Sequence, residues 1–215
     1  MRMKEELAAT LPDIRSLRDF GGCYLVHDHY LLQAARRLHL RLAGMIDINV
    51  TPEFMCAAEE LQRLDTRIET VHADFREGST FADLIETDAS LLYEVLLHQE
   101  NYVEVIRHVC AKTSRFICVA QPCLCEELFT LPAAAALLPL YDDDLKGLLR
   151  TDGFWPEEDD ADLFTPAHWI WGHTSSHLVD IMRGMGWFLR KGEVVDNVAG
   201  TYWDYPLLLF ERREP

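Results

Sequence analysis

Short apolar runs and amphipathic stretches alternate along the first 120 residues. The runs fall at 14–20, 42–48, 67–75, 89–97 and 114–121 and predict strands. Between them, 24–40 carries Leu31, Leu32, Ala35 and Leu38 at helical spacing, and 101–112 places Val103, Ile106 and Val109 on one side. Shorter helices are predicted over 3–11 and 79–87. Another is predicted over 51–63, where Thr51 can cap and Pro52 suits the first helical position. The run at 89–97 is almost unbroken, as a strand buried on both faces requires. Strands that alternate with helices predict a parallel, doubly wound α/β sheet.

The pattern changes at 122–170. Prolines, an Ala/Leu run at 133–138 and many acids follow one another, including Asp142, Asp143, Asp144, Glu157, Glu158, Asp159 and Asp160. Insertions of this length are usually functional or disordered. The Ala and Leu content favours short helices, hence a helical lid. The acids read as a solvated face, and Asp142-Asp143-Asp144 lacks the alternating ligand spacing of a calcium loop. A helix over 175–186 and strands over 193–198 and 206–212 complete the chain. The two strands predict an antiparallel hairpin around Gly200.

Acids and glycines stand at the ends of the first three strand runs: Asp19-Phe20-Gly21-Gly22, then Asp47, then Asp74. Doubly wound sheets bind ligands at the carboxyl ends of their strands. Glycines there let backbone approach a nucleoside ligand, and an acid accepts hydrogen bonds from a ribose diol.

At 215 residues the chain fits one domain, 1–215, with a substantial core. Its formal charge of −16 argues against sequence-independent nucleic-acid binding, which needs Lys and Arg to neutralise phosphates. Six cysteines follow an N-terminus without an apolar leader segment, and no run approaches the roughly 20 apolar residues of a membrane span. A cytoplasmic protein with reduced thiols is expected.

Taken in order, these elements resemble a class I S-adenosylmethionine-dependent methyltransferase, over roughly residues 12–213. The segment from Asp19 to Leu25 occupies the place of the family's Asp-x-Gly-x-Gly-x-Gly loop, which cradles the methionine moiety. Asp47 matches the acid that binds the ribose hydroxyls, with Ile48 beside it. Asp74 and Phe75 match the adenine-side position. Tyr93-Glu94-Val95-Leu96-Leu97-His98 resembles the family's fourth strand, which often leads into Val-Leu-x-His, and Gly186-Trp187 fits the end of the closing helix. The loop departs from the pattern: the second family glycine is displaced to Gly22, Leu25 stands where the last is expected, and His27-Asp28-His29 is inserted.

The resemblance implies a Rossmann-like, seven-stranded, mostly parallel sheet with an antiparallel last strand. It implies S-adenosylmethionine as cofactor, bound by Asp19, Gly21, Gly22, Asp47, Ile48, Asp74, Phe75 and Glu94. A small-molecule oxygen or nitrogen would accept the methyl group. Tyr93, His168, Trp169 and His173 are the candidate acceptor contacts, since aromatic rings supply apolar area and His supplies polar orientation. His98 is the candidate general base. Oligomeric state stays open, with a homodimer allowed.

Rival readings are a catalytically silent binding domain, motivated by the degenerate loop, and an RNA-modifying methyltransferase, disfavoured by charge. A nicotinamide oxidoreductase would need Gly-x-Gly-x-x-Gly after the first strand, and that is absent. No metal is called for: His27 and His29, two apart on a helix, would face apart, and Cys123-Leu124-Cys125 lacks a second pair. There is no Gly-x-Ser-x-Gly elbow and no phosphate-binding Gly-x-x-x-x-Gly-Lys loop.

Overall fold

The structure is a computed structural model that describes residues 2–23, 27–63, 65–129, 135–137, 171–197 and 203–213. Helix α1 (Arg2–Ala9) precedes strand β1 (Ser16–Phe20). Then come α2 (His29–Leu38), β2 (Leu42–Asp47), α3 (Pro52–Gln62), β3 (Arg67–His72), β4 (Thr87–Tyr93), α4 (Tyr102–Ala111) and β5 (Thr113–Ala120). Beyond β5 lie β6 (Cys123–Leu124), α5 (Glu126–Phe129), β7 (Ala135–Leu137), β8 (Trp171–His173), α6 (Ser175–Gly184), β9 (Trp187–Asn197) and β10 (Trp203–Arg212).

The main sheet runs β3-β2-β1-β4-β5-β10, with β9 paired to β10. The first five strands are parallel, and β10 runs antiparallel to both β5 and β9. This is the mostly parallel sheet with an antiparallel last strand that the resemblance implies. Short β6 continues past β5 and pairs with the start of β10. The chain moves outward from β1 to β3 and then returns to place β4 on the other side of β1. The crevice at the carboxyl ends of β1 and β4 is therefore the topological switch point, where open α/β sheets bind ligands.

Two hydrophobic layers sandwich the sheet. One joins Leu7 and Leu11, Leu31 and Ala35 of α2, and Phe54 and Leu61 of α3 to Leu17, Met45 and Phe116. The other joins Phe20, Ile46 and Val119 to Phe81, Val105 and Ile106 of α4, Leu178 and Met182 of α6, and Trp187. β2 is buried at all six positions, whereas edge strand β3 is partly exposed along its length. Thr51 caps α3 as predicted: its Oγ1 accepts from the Phe54 N–H at 3.2 Å.

One charge crosses the buried sheet. Arg18 is fully buried on β1, with Gly44 of β2 and Glu69 of β3 in register beside it. Its guanidinium passes over Gly44 to pair with the Glu69 carboxylate, and its Nη1 donates to the Ile85 carbonyl at 2.7 Å. A Cβ on Gly44 would sit 3.0 Å from Arg18 Nε, so the glycine makes room for the arginine.

Several boundaries differ from the apolar pattern. The run 89–97 is strand only to Tyr93: Glu94 turns the chain at φ 56°, and Leu96–His98 forms a 3₁₀ turn. The stretch expected as a helix over 79–87 contains a 3₁₀ turn at Gly78–Phe81. The third strand ends at His72, which puts Asp74 and Phe75 in the turn that follows. The terminal strands are longer than 193–198 and 206–212, because β9 begins directly at Trp187. Within 122–170, the described parts are β6, α5 and β7, and β7 pairs with β8. Residues 138–170, His168 and Trp169 among them, lie outside the described residues.

Candidate functional site

The turn after β1 requires its glycines. Gly21 sits at φ 80° and its N–H donates to the Ile46 carbonyl at 2.8 Å. A Cβ there would meet Val95 Cγ2 at 2.9 Å. At Gly22 a Cβ would lie 2.5 Å from Asp19 Oδ2 and 2.7 Å from Asp28 Oδ1. Two carboxylates therefore converge on one glycine. Asp28 reaches this place because it takes the left-handed conformation, φ 58°, with its N–H donating to the Gly22 carbonyl at 2.8 Å.

Asp19 and Asp28 are both fully buried, and among the described residues their carboxylates have no ion pair and no hydrogen bond of good geometry; their nearest polar contacts are with each other and, for Asp19, with the Phe20 backbone. Burial raises the Asp19 carboxyl to about 6. Burial, then the nearby Asp19 charge, raises Asp28 well above the ordinary carboxylate range. With both ionised the pair has no donor; a proton on Asp28 supplies one to Asp19 and partly offsets the effect of burial there. A pair of buried acids without cation or donor is costly on its own and is matched to a ligand that brings one.

Asp47 is 4% exposed at the end of β2. Its Oδ2 accepts from the Cys23 N–H and its Oδ1 from the Asn49 N–H, each at 2.8 Å, which ties the β2 end to the glycine turn. Two of its roughly four acceptor positions remain for a diol. Neighbouring Ile48 is 61% exposed, a free apolar surface beside that acid. Phe75 packs edge-on against Phe20, centroids 6.1 Å apart, and faces Gly21. Asp74 grips Arg76 with both oxygens, and that hydrogen bonding holds its carboxyl below the usual range.

Past β4, Tyr93 turns toward α1 and donates from its hydroxyl to the Lys4 carbonyl at 3.1 Å. The Glu94 N–H donates to the Ala120 carbonyl at 2.7 Å, and its carboxylate meets Lys4 Nζ at 2.5 Å and accepts from the Tyr205 hydroxyl. Burial opposes ionisation of Glu94, but Lys4 and Tyr205 together hold its carboxyl below the usual range. His98 is exposed on the 3₁₀ turn, and its charge also acts on Glu94.

His173 is fully buried on β8, with Nδ1 3.0 Å from Gln121 Nε2 at the end of β5. Its Nε2 has no partner among the described residues. Burial, reinforced by His177, pushes its imidazole down to about 3, so it is neutral. Tyr102 lies edge-on at 4.4 Å, and Trp171 Nε1 donates to the Gln99 carbonyl at 3.0 Å. These contacts fasten β8 against the β4 and β5 ends.

The His27-Asp28-His29 segment splays apart. His27 meets Thr51 Oγ1 at 3.1 Å, His29 meets Glu5 at 2.8 Å, and Asp28 turns inward. Among the described residues no group of three His, Cys, Asp or Glu is arranged to hold a metal. All six cysteines are free thiols, and burial pushes those of Cys23, Cys110 and Cys118 up to about 12. The structure thus brings Asp19, Gly21, Gly22, Asp47, Ile48 and Phe75 to one crevice, with Tyr93 and Glu94 on the adjacent strand end. It adds Asp28, Lys4, Tyr30 and Tyr205. Of these, Asp28 alone carried a sequence signal, in the His-Asp-His insertion.

No family model and no curated protein matches this chain. Solved structures do. An O-methyltransferase family protein from Burkholderia thailandensis has a TM-score of 0.62 at 16% identity, over 99% of this chain and 56% of its own. This chain thus spans just over half of that protein's length. Magnesium protoporphyrin IX methyltransferase from Synechocystis PCC 6803, solved with S-adenosylhomocysteine bound, gives 0.61 at 14% identity, over 99% of this chain and 83% of its own. The 1,6-didemethyltoxoflavin-N1-methyltransferase of B. thailandensis, with its substrate and S-adenosylhomocysteine bound, gives 0.62 at 15%, over 99% and 78%. The chain has the Rossmann-like fold of class I methyltransferases.

Proposed function

We propose that this protein transfers a methyl group from S-adenosylmethionine to an oxygen or nitrogen of a small-molecule acceptor, the whole chain acting as one methyltransferase-like domain. The observation that carries this reading is the buried, unpartnered Asp19–Asp28 pair converging on Gly22 at the switch point of a methyltransferase fold. The methionine end of the cofactor brings an ammonium, the group these carboxylates lack. Asp47 has acceptor capacity for the ribose diol, and exposed Ile48 offers apolar surface for the adenine, with buried Phe75 backing the glycine turn. Asp74, engaged with Arg76, contributes chiefly by shaping the turn that carries Phe75.

When bound, the cofactor supplies a sulfonium methyl with a good leaving group already attached. The chain's own task is then alignment, which alone can supply a large part of the rate enhancement. His98, beyond β4, is the group assigned to take a proton from the acceptor. Glu94, held low by its partners, is the weaker base.

Calorimetric titration with S-adenosylmethionine and S-adenosylhomocysteine tests the reading. Micromolar binding is expected, weakened about 10- to 100-fold in Asp47→Asn, the loss of one or two hydrogen bonds to a charged group. Absence of heat with either ligand, in protein free of carried-over cofactor, would overturn it in favour of a silent domain.

A further inference from the structure

Four side chains converge on the ammonium of Lys4. Tyr30 of α2, Tyr93 at the end of β4 and Tyr205 of β10 place their ring centroids 5.2, 5.8 and 5.1 Å from Lys4 Nζ. Tyr30 and Tyr93 stand edge-on to each other, centroids 5.3 Å apart. Glu94 closes the fourth side, 2.5 Å from the ammonium. Three aromatic faces and one carboxylate around a cation form the cage by which proteins recognise alkylammonium groups.

We propose that this cage is a binding site for the alkylammonium group of a small organic cation, and that Lys4 is its internal occupant, withdrawn when the ligand enters. The assignment of that cation as the methyl acceptor rests on the methyltransferase reading; the binding site itself does not.

The cage stands at the right edge of the sheet. Tyr93 ends β4 and Glu94 follows it, and β4 pairs with β1 at Leu91 and Asp19. Lys4 is near enough to Asp19 for its charge to pull on that carboxyl. The cage is held by contacts other than the Lys4 ammonium. Glu94 takes a left-handed conformation uncommon outside glycine, fixed by its N–H on the Ala120 carbonyl. The Tyr205 hydroxyl is engaged with Glu94, and the Tyr93 hydroxyl with the Lys4 backbone carbonyl, which stays with helix α1, so those rings are oriented without the ammonium. Helix α1 is held by Leu7 and Ala8 in the core, so the flexible Lys4 stem can leave while the helix stays. The Glu94 side chain is 52% exposed, so the cage has a solvent-facing mouth.

The probe is tetramethylammonium, titrated by calorimetry into wild type and Lys4→Ala. The variant is expected to bind at least tenfold more tightly than wild type, because its cage is vacated. Adding Glu94→Gln or Tyr205→Leu to Lys4→Ala is expected to remove that gain. Equal or absent binding in a folded Lys4→Ala protein, checked by thermal melt, would overturn the proposal and leave Lys4 as a staple of α1. Should Lys4→Ala fail to fold, Lys4→Gln keeps the stem, drops the charge and carries the same test. Two organic cations could claim the cage, an acceptor that it anchors by an ammonium while the methyl goes to another oxygen or nitrogen of the same molecule, or the cofactor's sulfonium. Tetramethylammonium is expected to bind equally well with S-adenosylhomocysteine or S-adenosylmethionine present; exclusion by the latter alone would reassign the cage to the sulfonium and overturn the acceptor assignment. Loss of cage binding with intact cofactor binding defeats this inference only. Cage binding without cofactor binding defeats the methyltransferase reading only.

Discussion

Asp19→Asn should make this protein more stable and a poorer binder of its cofactor, and the gain should depend on pH in one direction. The Asp19 carboxyl rises from 3.8 to about 6 in the folded protein, chiefly through burial. A raised carboxyl means that the folded state holds its proton more tightly than the unfolded chain does. Stability from this group is therefore full below pH 3.8, falls between 3.8 and about 6, and stays low above. A shift of about two units corresponds to roughly 3 kcal/mol. Asparagine has no charge to bury, so the variant should exceed wild type by about 3 kcal/mol at pH 8 and by nothing near pH 4. Relief of repulsion on Asp28 acts in the same direction. The assay is urea unfolding of both proteins from pH 4 to 8, reading the difference so that other carboxylates cancel. The same variant should bind S-adenosylmethionine about 10- to 100-fold more weakly, since a charge-assisted contact to its ammonium is lost. A stability difference that does not change with pH would refute the buried-acid account, and unchanged cofactor affinity would remove Asp19 from the site.

Gly44→Ala is expected to destabilise by about 1–3 kcal/mol as its Cβ presses on the Arg18 guanidinium, and by about 3–5 kcal/mol if the pairing with Glu69 breaks. That is a melting-temperature loss of roughly 2–4 °C per kcal/mol in a chain of this size, and a change within 0.5 kcal/mol would contradict the packing described. The His173 imidazole is expected to show no NMR titration between pH 8 and 5, because burial holds it neutral down to about 3. Since an unfolded imidazole takes up its proton near pH 6.5, this residue costs stability as pH falls below that value, and an observed midpoint above 5 would refute its burial.

The fold and half of the site were legible because both rest on local, periodic signals. Strand runs ending in Asp19, Asp47 and Asp74 predicted the parallel sheet and its ligand edge. What the pattern hid are arrangements in which one residue contradicts its neighbours. Arg18 lies in a strand buried on both sides, and only the register with Gly44 and Glu69 explains it. Asp28 stands inside a His-Asp-His segment that reads only as an insertion, whereas a left-handed backbone drives it alone into the core. Tyr93 is a candidate acceptor contact in the sequence, but its neighbours Lys4, Tyr30 and Tyr205 come from three distant elements with no shared spacing. Glu94, grouped with the cofactor contacts by resemblance, also engages Lys4 and Tyr205, contacts that no spacing in the sequence announces.

The position of β10 has a consequence for how the chain reaches this state. Residues 203–212 pair with β5 on one side and β9 on the other, filling an interior place in the sheet. Until they arrive, the edge formed by Phe116, Ile117, Cys118 and Val119 has no partner on that side, and it is among the most apolar stretches of the sheet. Such pairing across more than 80 residues is slow to form, and the waiting edge is a template for other chains. A nascent chain released or cleaved before residue 203 would therefore tend to aggregate rather than persist as a smaller folded sheet, and refolding yield should fall with protein concentration.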